Sequence, residues 1–126
     1  MNENQKKEFV IQVKDLKDSL GDFAETYKKL KSGEKIKPVE KLTFVDVSVF
    51  RKFMTKRRIE LLRTIKKSKP ESIQELGRLT KRDYKSINTD LGILSKVDLV
   101  TMKKTDHKIK PSVEYKEIDI KIPLGT

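Results

Sequence analysis

The feature that most constrains the fold is a set of three helical stretches within residues 55–96, each bounded by a capping or breaking signal. Thr55 is placed to cap the first stretch, and Pro70 ends it because the residue before a proline disfavours helical backbone. Ser72 and Glu75 have the spacing of a capping box, in which each side chain hydrogen-bonds a backbone amide at the start of the helix. A second helix is therefore predicted to begin at Ser72.

The three helices are predicted over 56–67, 72–79 and 83–96, with a tight connection at 80–82 between the second and the third. Apolar side chains recur three or four residues apart, so each helix has one inward face. These positions are Ile59, Leu62 and Ile65 or Lys66, then Ile73, Leu76 and Leu79, then Tyr84, Ile87, Leu91 and Leu94. A short helix, a tight turn and a longer helix form a helix-turn-helix.

Extended segments are predicted on both sides of these helices. Residues 99–103 alternate as a strand, 104–110 are polar and turn-like, and 113–124 read as extended. A short strand is predicted at 8–13, followed by a helix that ends at Ser32-Gly33. A second strand is predicted at 42–45, and Asp46 or Ser48 can cap a short helix to about Met54.

The expected fold class is therefore α+β, mainly α, a winged helix-turn-helix with an N-terminal strand-helix arm. Residues 1–45 form the arm, and residues 46–126 form the winged helix-turn-helix domain. The arm helix has an apolar stripe that one strand and one helix cannot cover by themselves. A homodimer is expected to cover it, with packing on the chain's own domain as the alternative. The stripe residues, predicted to form the dimer interface, are Leu16, Leu20, Phe23, Tyr27 and Leu30.

The positive charge is concentrated in the second part of the chain. Residues 1–45 hold ten Lys and eight acidic residues, a net of +2, and the remaining residues carry +9 of the total of +11. A positive field in one module points to a polyanion, with nucleic acid first and a membrane surface second. A merely soluble, Lys-rich protein also fits the charge alone.

The predicted third helix and hairpin give this charge a defined place, and double-stranded DNA is the expected partner. The helix over about 83–96 is expected to enter the major groove, and the basic hairpin over about 103–110 is expected to act as a wing on an adjacent groove or the backbone. Lys81 and Arg82 stand where amides and charge favour phosphate. The predicted DNA-binding residues are Lys81, Arg82, Tyr84, Lys85, Ser86, Asn88, Thr89, Lys103, Lys104, Lys108 and Lys110.

Other classes of site have no support in the sequence. The chain lacks cysteine, and its single histidine, His107, stands in the predicted turn without neighbouring ligands. No Ser-His-Asp set or phosphate-binding loop is present. We therefore expect no catalytic residues, no metal and no cofactor. The sequence has no apolar run approaching the roughly 20 residues that span a bilayer, and its N-terminus lacks the apolar core of a signal peptide. A cytoplasmic protein without a membrane partner is therefore expected.

The residues also resemble a known family. The segments that carry the resemblance are 55–63, 70–76, Lys81-Arg82-Asp83-Tyr84-Lys85-Ser86-Ile87, Asp90-Leu91 and Leu99-Val100, with further likeness at 9–13, 32–34 and 113–118. The chain is similar to MarR-like winged-helix DNA-binding proteins of archaea and bacteria. This resemblance implies a dimeric, sequence-specific transcriptional regulator. Some relatives resemble antitoxins, which implies a small toxin as a second protein partner and autoregulation of the promoter.

Three residues depart from that family's pattern. Gly77 stands where Ala is usual, and Lys81 and Asp98 stand where Gly is usual. Lys81 adds charge at the turn, which puts an inherited DNA sequence preference in doubt. Asp accepts positive φ more readily than most residues, so the helix end at Asp98 is expected to survive.

Besides DNA and a toxin protein, RNA is a third candidate partner, because the basic charge permits it. It is less favoured than DNA, because the major groove of A-form RNA is too narrow for a helix.

Overall fold

The computed structural model of the chain describes residues 8–14, 20–21, 24–25, 27–28, 31–33 and 41–124. It is a mixed α+β fold that divides into two compact units. We call Met54–Lys116 the helical unit, and Glu8–Phe53 with Glu117–Thr126 the sheet unit. In chain order the elements are β1 (Glu8–Val13), β2 (Lys41–Phe44), α1 (Val47–Phe53), α2 (Lys56–Ser68), α3 (Ile73–Thr80), α4 (Tyr84–Lys96), β3 (Thr101–Thr105), β4 (Lys108–Ser112) and β5 (Glu117–Lys121).

Side-chain caps begin the three helices of the helical unit, and the sequence predicts the first two of these caps. The Thr55 hydroxyl accepts a hydrogen bond from the Arg58 amide at 3.2 Å, and Ser72 accepts from the Glu75 amide at 3.1 Å. Asp83 caps α4 by accepting from the Ser86 amide at 2.9 Å. The second half of the capping box is displaced by one residue, because the Glu75 carboxylate accepts from the amide of Glu71.

The turn between α3 and α4 is tight and depends on two backbone positions. Lys81 has a φ of 56°, in the left-handed region that favours glycine. The Arg82 amide donates to the Gly77 carbonyl at 3.1 Å, so the chain folds back onto the end of α3. A Cβ at Gly77 would lie 3.2 Å from the Arg82 carbonyl oxygen. Glycine at position 77 therefore permits an approach that alanine would crowd.

The core of the helical unit is apolar and well buried. Its buried side chains are Leu61, Leu62, Ile65, Ile73, Leu76, Ile87, Leu91, Leu94, Leu99, Val100 and Tyr115. Two predicted core positions are wrong, because Leu79 is 48% exposed and Tyr84 is 58% exposed. Both lie next to the α3–α4 turn. Leu61 is buried although it lies off the predicted stripe, and between Ile65 and Lys66 it is Ile65 that faces the core.

Strands β3 and β4 form an antiparallel hairpin in the helical unit. Thr105 is paired with Lys108, so Asp106 and His107 form a two-residue turn, and Asp106 takes a φ of 32°. The turn lies within the predicted turn-like segment 104–110, but the bounds of the predicted strands, 99–103 and 113–124, are wrong. The real strands begin after the buried pair Leu99-Val100 and end at Ser112. Strand β4 packs against α2 and α3.

The sheet unit contains a three-stranded parallel sheet with the order β2-β1-β5. Strand β1 confirms the predicted strand at 8–13, and its Phe9, Ile11 and Val13 are buried. The segment 113–124, predicted to be extended, contains strand β5, which pairs with β1 and not with the hairpin. The division into units consequently groups residues 46–53 and 117–124 with the arm, whereas the sequence placed the boundary after residue 45.

Helical structure flanks this sheet in the chain. The Asp46 carboxylate accepts from the Ser48 amide at 2.6 Å and starts α1, as predicted. The Phe44 ring contacts Phe50 and Phe53, at centroid distances of 5.6 and 5.2 Å. The described residues between 20 and 31 are helical, and Gly33 ends this segment with a φ of 84°. Across the described parts of the chain, no helix has both the length and the apolar character to cross a membrane.

Candidate nucleic-acid interface

The first turns of α4 present a polar and basic face. Lys85, Asn88 and Thr89 are exposed, and their spacing of three and four residues places them side by side on the helix surface. Lys81, in the preceding turn, is also exposed. The Thr89 hydroxyl donates back to the Lys85 carbonyl at 2.9 Å, so its oxygen retains lone pairs for an outside donor. Four of the predicted DNA-binding residues are therefore brought together and are accessible.

Tyr84 belongs to the same region. The sequence predicted Tyr84 both as part of the inward apolar stripe and as a DNA-binding residue. Its 58% exposure is compatible only with a place on the surface. It is the first residue of α4, next to the Asp83 cap. A phenol there offers an aromatic face and a hydroxyl beside the lysines.

Arg82 and Ser86 lie partly beneath this face, in contact with each other. The Arg82 Nη2 atom donates to the Ser86 Oγ atom at 2.6 Å and to the Asp90 Oδ2 atom at 2.6 Å. Both Arg82 and Asp90 have little side-chain exposure, at 15% and 12%. The guanidinium is thus already committed to internal partners, and its main role in this geometry is to fix the start of α4.

Asp90 is the buried centre of this network, and the sequence did not reveal it. Its other oxygen, Oδ1, accepts from the Arg58 Nε atom of α2 at 3.0 Å. Burial raises the pKa of the Asp90 carboxyl, but hydrogen bonds and charge from Arg82 and Arg58 outweigh this, so the pKa lies below its ordinary value of 3.8. One ionised carboxylate consequently ties two helices and the turn together.

Arg57 adds a further cation that the sequence reading missed. Its Nη2 atom donates to the Ser86 Oγ atom at 2.9 Å, which joins the start of α2 to the start of α4. The run Lys56-Arg57-Arg58 at the N-terminus of α2 was the available signal. An open depression of about 350 Å³ lies at this junction, lined by Arg57, Arg82, Asp83, Lys85, Ser86, Thr89 and Asp90.

The hairpin presents a second group of cations. Lys103, Lys104 and Lys108 are exposed on β3 and at the start of β4. Lys110 differs, because its Nζ atom lies 3.5 Å from the Glu71 carboxylate and the residue is partly buried. Three of the four predicted wing lysines are therefore accessible, while the fourth is paired with an acid near the start of α3.

The predicted dimer residues are covered only in part by the described regions. Leu20 and Tyr27 lie in the helical segment of the sheet unit and are 59% and 58% exposed. Leu16, Phe23 and Leu30 lie outside the described residues. Their assignment to a dimer interface stays a prediction.

Three carboxylates meet on the sheet unit. The ligand atoms of Glu8, Glu117 and Asp119 lie within 4.8 Å of one another, all on exposed or half-buried side chains of β1 and β5. Oxygen ligands of this kind suit hard cations, but exposed acidic groups are also common without one. The expectation that the chain uses no metal stays a prediction.

Comparison with known proteins gives one family. The model of the HVO_A0114 family matches residues 53–120. The matched region contains the whole interface described above, from the N-terminus of α2 to the hairpin, and extends into β5. No curated protein matches the chain.

Proposed function

The chain belongs to the HVO_A0114 family, and from the surface of its matched region we propose that it is a sequence-specific, double-stranded-DNA-binding transcriptional regulator. Helices α2, α3 and α4 with the β3–β4 hairpin have the element order of a winged helix-turn-helix. In this proposal α4 is the recognition helix and the hairpin is the wing. The MarR-like resemblance of the sequence supports the same assignment.

The observation that carries the proposal is the accessible face of Lys81, Lys85, Asn88 and Thr89 at the start of α4. Lysine ammonium groups contact phosphates, and Asn reads adenine through its amide in the major groove. A helix N-terminus adds amide groups that favour an anion. The face thus combines charge for affinity with hydrogen-bonding groups for base recognition.

The internal arginine network supports this use of α4. A recognition helix has to be held in a fixed orientation, since a base contact depends on side chains placed to within about 0.5 Å. Asp90 connects α4 to α2 through Arg58 and to the turn through Arg82. The network therefore serves positioning, and Arg57 with Lys85 supplies charge at the rim of the depression.

The hairpin lysines extend the positive surface. Lys103, Lys104 and Lys108 lie on both sides of Asp106-His107, the two-residue turn that connects the paired strands. A narrow basic hairpin fits against phosphates of a neighbouring groove. Glu71 neutralises Lys110, so this lysine is expected to contribute little.

The test is a fluorescence-anisotropy titration on the duplex upstream of the protein's own reading frame. A scrambled duplex and a double-stranded RNA of the same sequence serve as competitors. We expect the upstream duplex to bind at least tenfold more tightly than either, with affinity that falls steeply with salt. Equal binding of the scrambled duplex would remove sequence-specific regulation, and a preference for RNA would remove DNA as the partner.

Two matched variants separate base reading from charge. Asn88→Ala is expected to weaken binding to the upstream duplex by about 1–3 kcal/mol and to leave the scrambled duplex unaffected. Lys85→Glu is expected to weaken both and to lower the salt slope by about one or more. Lys31→Glu, an exposed residue of the sheet unit, makes the same charge change and is expected to have a much smaller effect.

A second candidate function is antitoxin-like binding of a small protein. The observation that favours it is the exposure of Leu20 and Tyr27, two large apolar side chains on one helical segment. Co-purification of a neighbouring gene product with the wild-type chain, and its loss in Leu20→Lys with Tyr27→Lys, would support this function. Point variants are preferable to deletion of the arm, because β1 is the central strand of the sheet.

A further inference from the structure

Strand β5 forms one edge of the sheet. It pairs with β1 through the register Phe9 to Ile118 and Ile11 to Ile120, and no described residue pairs with its other side. An edge strand offers a row of backbone donors and acceptors to any strand that can align with it. The kind of strand that fits is determined by the side chains of β5.

Those side chains alternate strictly between two faces. Ile118 and Ile120 share the face of the buried Phe9 and Ile11, while Glu117, Asp119 and Lys121 lie on the opposite face. Ile122 continues the apolar positions directly after the strand. Ile120 and Ile122 are 47% and 46% exposed, so this apolar face is incompletely covered at the edge.

We propose that β5 pairs antiparallel with β5 of a second copy of the chain, across a two-fold axis at Ile120. Directly opposite residues share a face, so this register sets Ile120 against the partner's Ile120 and Ile118 against the partner's Ile122. On the other face it sets Asp119 against the partner's Lys121, and the two-fold axis makes this ion pair twice. The apolar and charged faces are thus both complementary.

Neighbouring registers set like charges against each other. Centring the axis on Asp119 pairs Glu117 with the partner's Lys121 but opposes two aspartates, and centring it on Lys121 opposes two lysines. The other edge strand, β2, reads Lys41-Leu42-Thr43-Phe44 and offers no acid to pair with its lysine. Of these three registers of β5, the one centred on Ile120 is therefore the one that opposes no like charges.

The acidic cluster gives independent support for a cation opposite Asp119. Glu8, Glu117 and Asp119 bring their carboxylates within 4.8 Å of one another on the same face of the sheet. Like charges at this separation repel. In the proposed pairing the partner's Lys121 brings a positive charge to this cluster. The interface is independent of the DNA-binding proposal, because it uses residues outside the helical unit.

The test is a charge swap measured by analytical ultracentrifugation of the full chain. Asp119→Lys and Lys121→Asp each turn two attractive cross-strand pairs into two repulsive ones, so each is expected to raise the dimer dissociation constant roughly tenfold or more. The double variant restores both pairs with reversed polarity. It is expected to return the constant to within about threefold of the wild-type value. Glu60→Lys, on the exposed surface of α2, controls for the change of net charge.

Each outcome decides the proposal. Asp119→Lys removes one acid from the cluster, so its thermal stability at low protein concentration is expected to be unchanged or higher, which separates assembly from folding. A wild-type chain that is monomeric at tens of micromolar would overturn the proposal. A dimer that tolerates both single reversals, or that the double variant fails to restore, would also overturn it. Loss of the dimer only in Tyr27→Lys would assign the interface to the helical segment instead.

Discussion

The two units of the chain treat their apolar and charged side chains in opposite ways. The helical unit buries eleven large apolar residues and leaves only Leu79 and Tyr84 well exposed. The sheet unit buries Phe9, Ile11 and Val13, and it exposes the large apolar residues Leu20, Tyr27, Val45, Val47, Val49, Ile120, Ile122 and Leu124. Among the described residues, the large apolar side chains of the helical unit are mostly buried, whereas those of the sheet unit are mostly exposed.

The two units also differ in net charge, which is concentrated in the helical unit. Residues 54–116 hold seventeen Lys plus Arg and eight acidic residues, which gives +9 of the total of +11. Residues 8–53 and 117–124 hold eleven Lys plus Arg and ten acidic residues, so they are close to neutral. This difference in charge is consistent with the two proposals above, which assign a polyanion to the helical unit and a protein partner to the sheet unit.

The largest expected effects on stability come from truncating one buried core side chain in each unit. Leu94→Ala in α4 and Ile11→Ala in β1 each remove a fully buried side chain and are expected to cost about 3 kcal/mol of unfolding free energy. If the units are separate in stability, Ile11→Ala accelerates amide hydrogen exchange in the sheet and leaves α2–α4 protected. Equal acceleration of exchange in both units would show that the two units unfold together.

The buried ion network gives the next largest effect. Asp90→Ala leaves the Arg58 and Arg82 guanidinium groups without their carboxylate partner, and we expect a loss of about 3 kcal/mol in urea unfolding. Glu60→Ala on the exposed surface of α2 is the control and is expected to change stability by less than about 0.5 kcal/mol. A small effect of Asp90→Ala would show that apolar packing alone fixes α4.

The pH dependence of the same network sharpens this assignment. Because the pKa of Asp90 is lowered in the folded state, its contribution is fully present above the ordinary value of 3.8 and is lost as the pH falls through the folded value. The stability difference between wild type and Asp90→Asn is therefore expected to be largest near neutral pH and to shrink below about pH 4. Unfolding curves across this range measure it, and a constant difference would contradict an ionic role.

The smallest expected effect lies at the turn. Lys81→Gly relieves a left-handed backbone position and is expected to stabilise the helical unit by up to about 1 kcal/mol. In the same variant, DNA affinity is expected to fall modestly, with a salt slope lower by about one, because one exposed ammonium group is lost. Thermal unfolding and the anisotropy titration check the two parts. An unchanged or higher DNA affinity would contradict a contact between Lys81 and DNA.

Local signals predicted the helical unit well. The caps at Thr55 and Ser72 and the stripe through Ile87, Leu91 and Leu94 depend on residues close in sequence, and the structure confirms them. Leu79 and Tyr84 were mistaken for core residues because helical periodicity does not show which positions near the end of one helix and the start of the next lack packing partners.

Long-range partners were beyond local patterns. Asp90 lies on a polar helix position like any solvated acid, and only the packing of α4 on α2 brings Arg58 to it. The alternation through Ile118 and Ile120 correctly indicated a strand but not its neighbour. The hairpin was the nearer candidate in sequence, whereas β1 and β5 are separated by the whole sequence of the helical unit.

The separation of β1 and β5 in sequence has a consequence for the order of synthesis. The helical unit lies in sequence between β2 with α1 and β5, so it is topologically an insertion into the sheet unit. On the ribosome β1 is made first, yet one of its two neighbours is translated only after the insertion is complete. The helical unit is continuous in sequence from Met54 to Lys116, so it can fold while β1 still lacks that neighbour. The helical unit is thus expected to mature before the sheet unit.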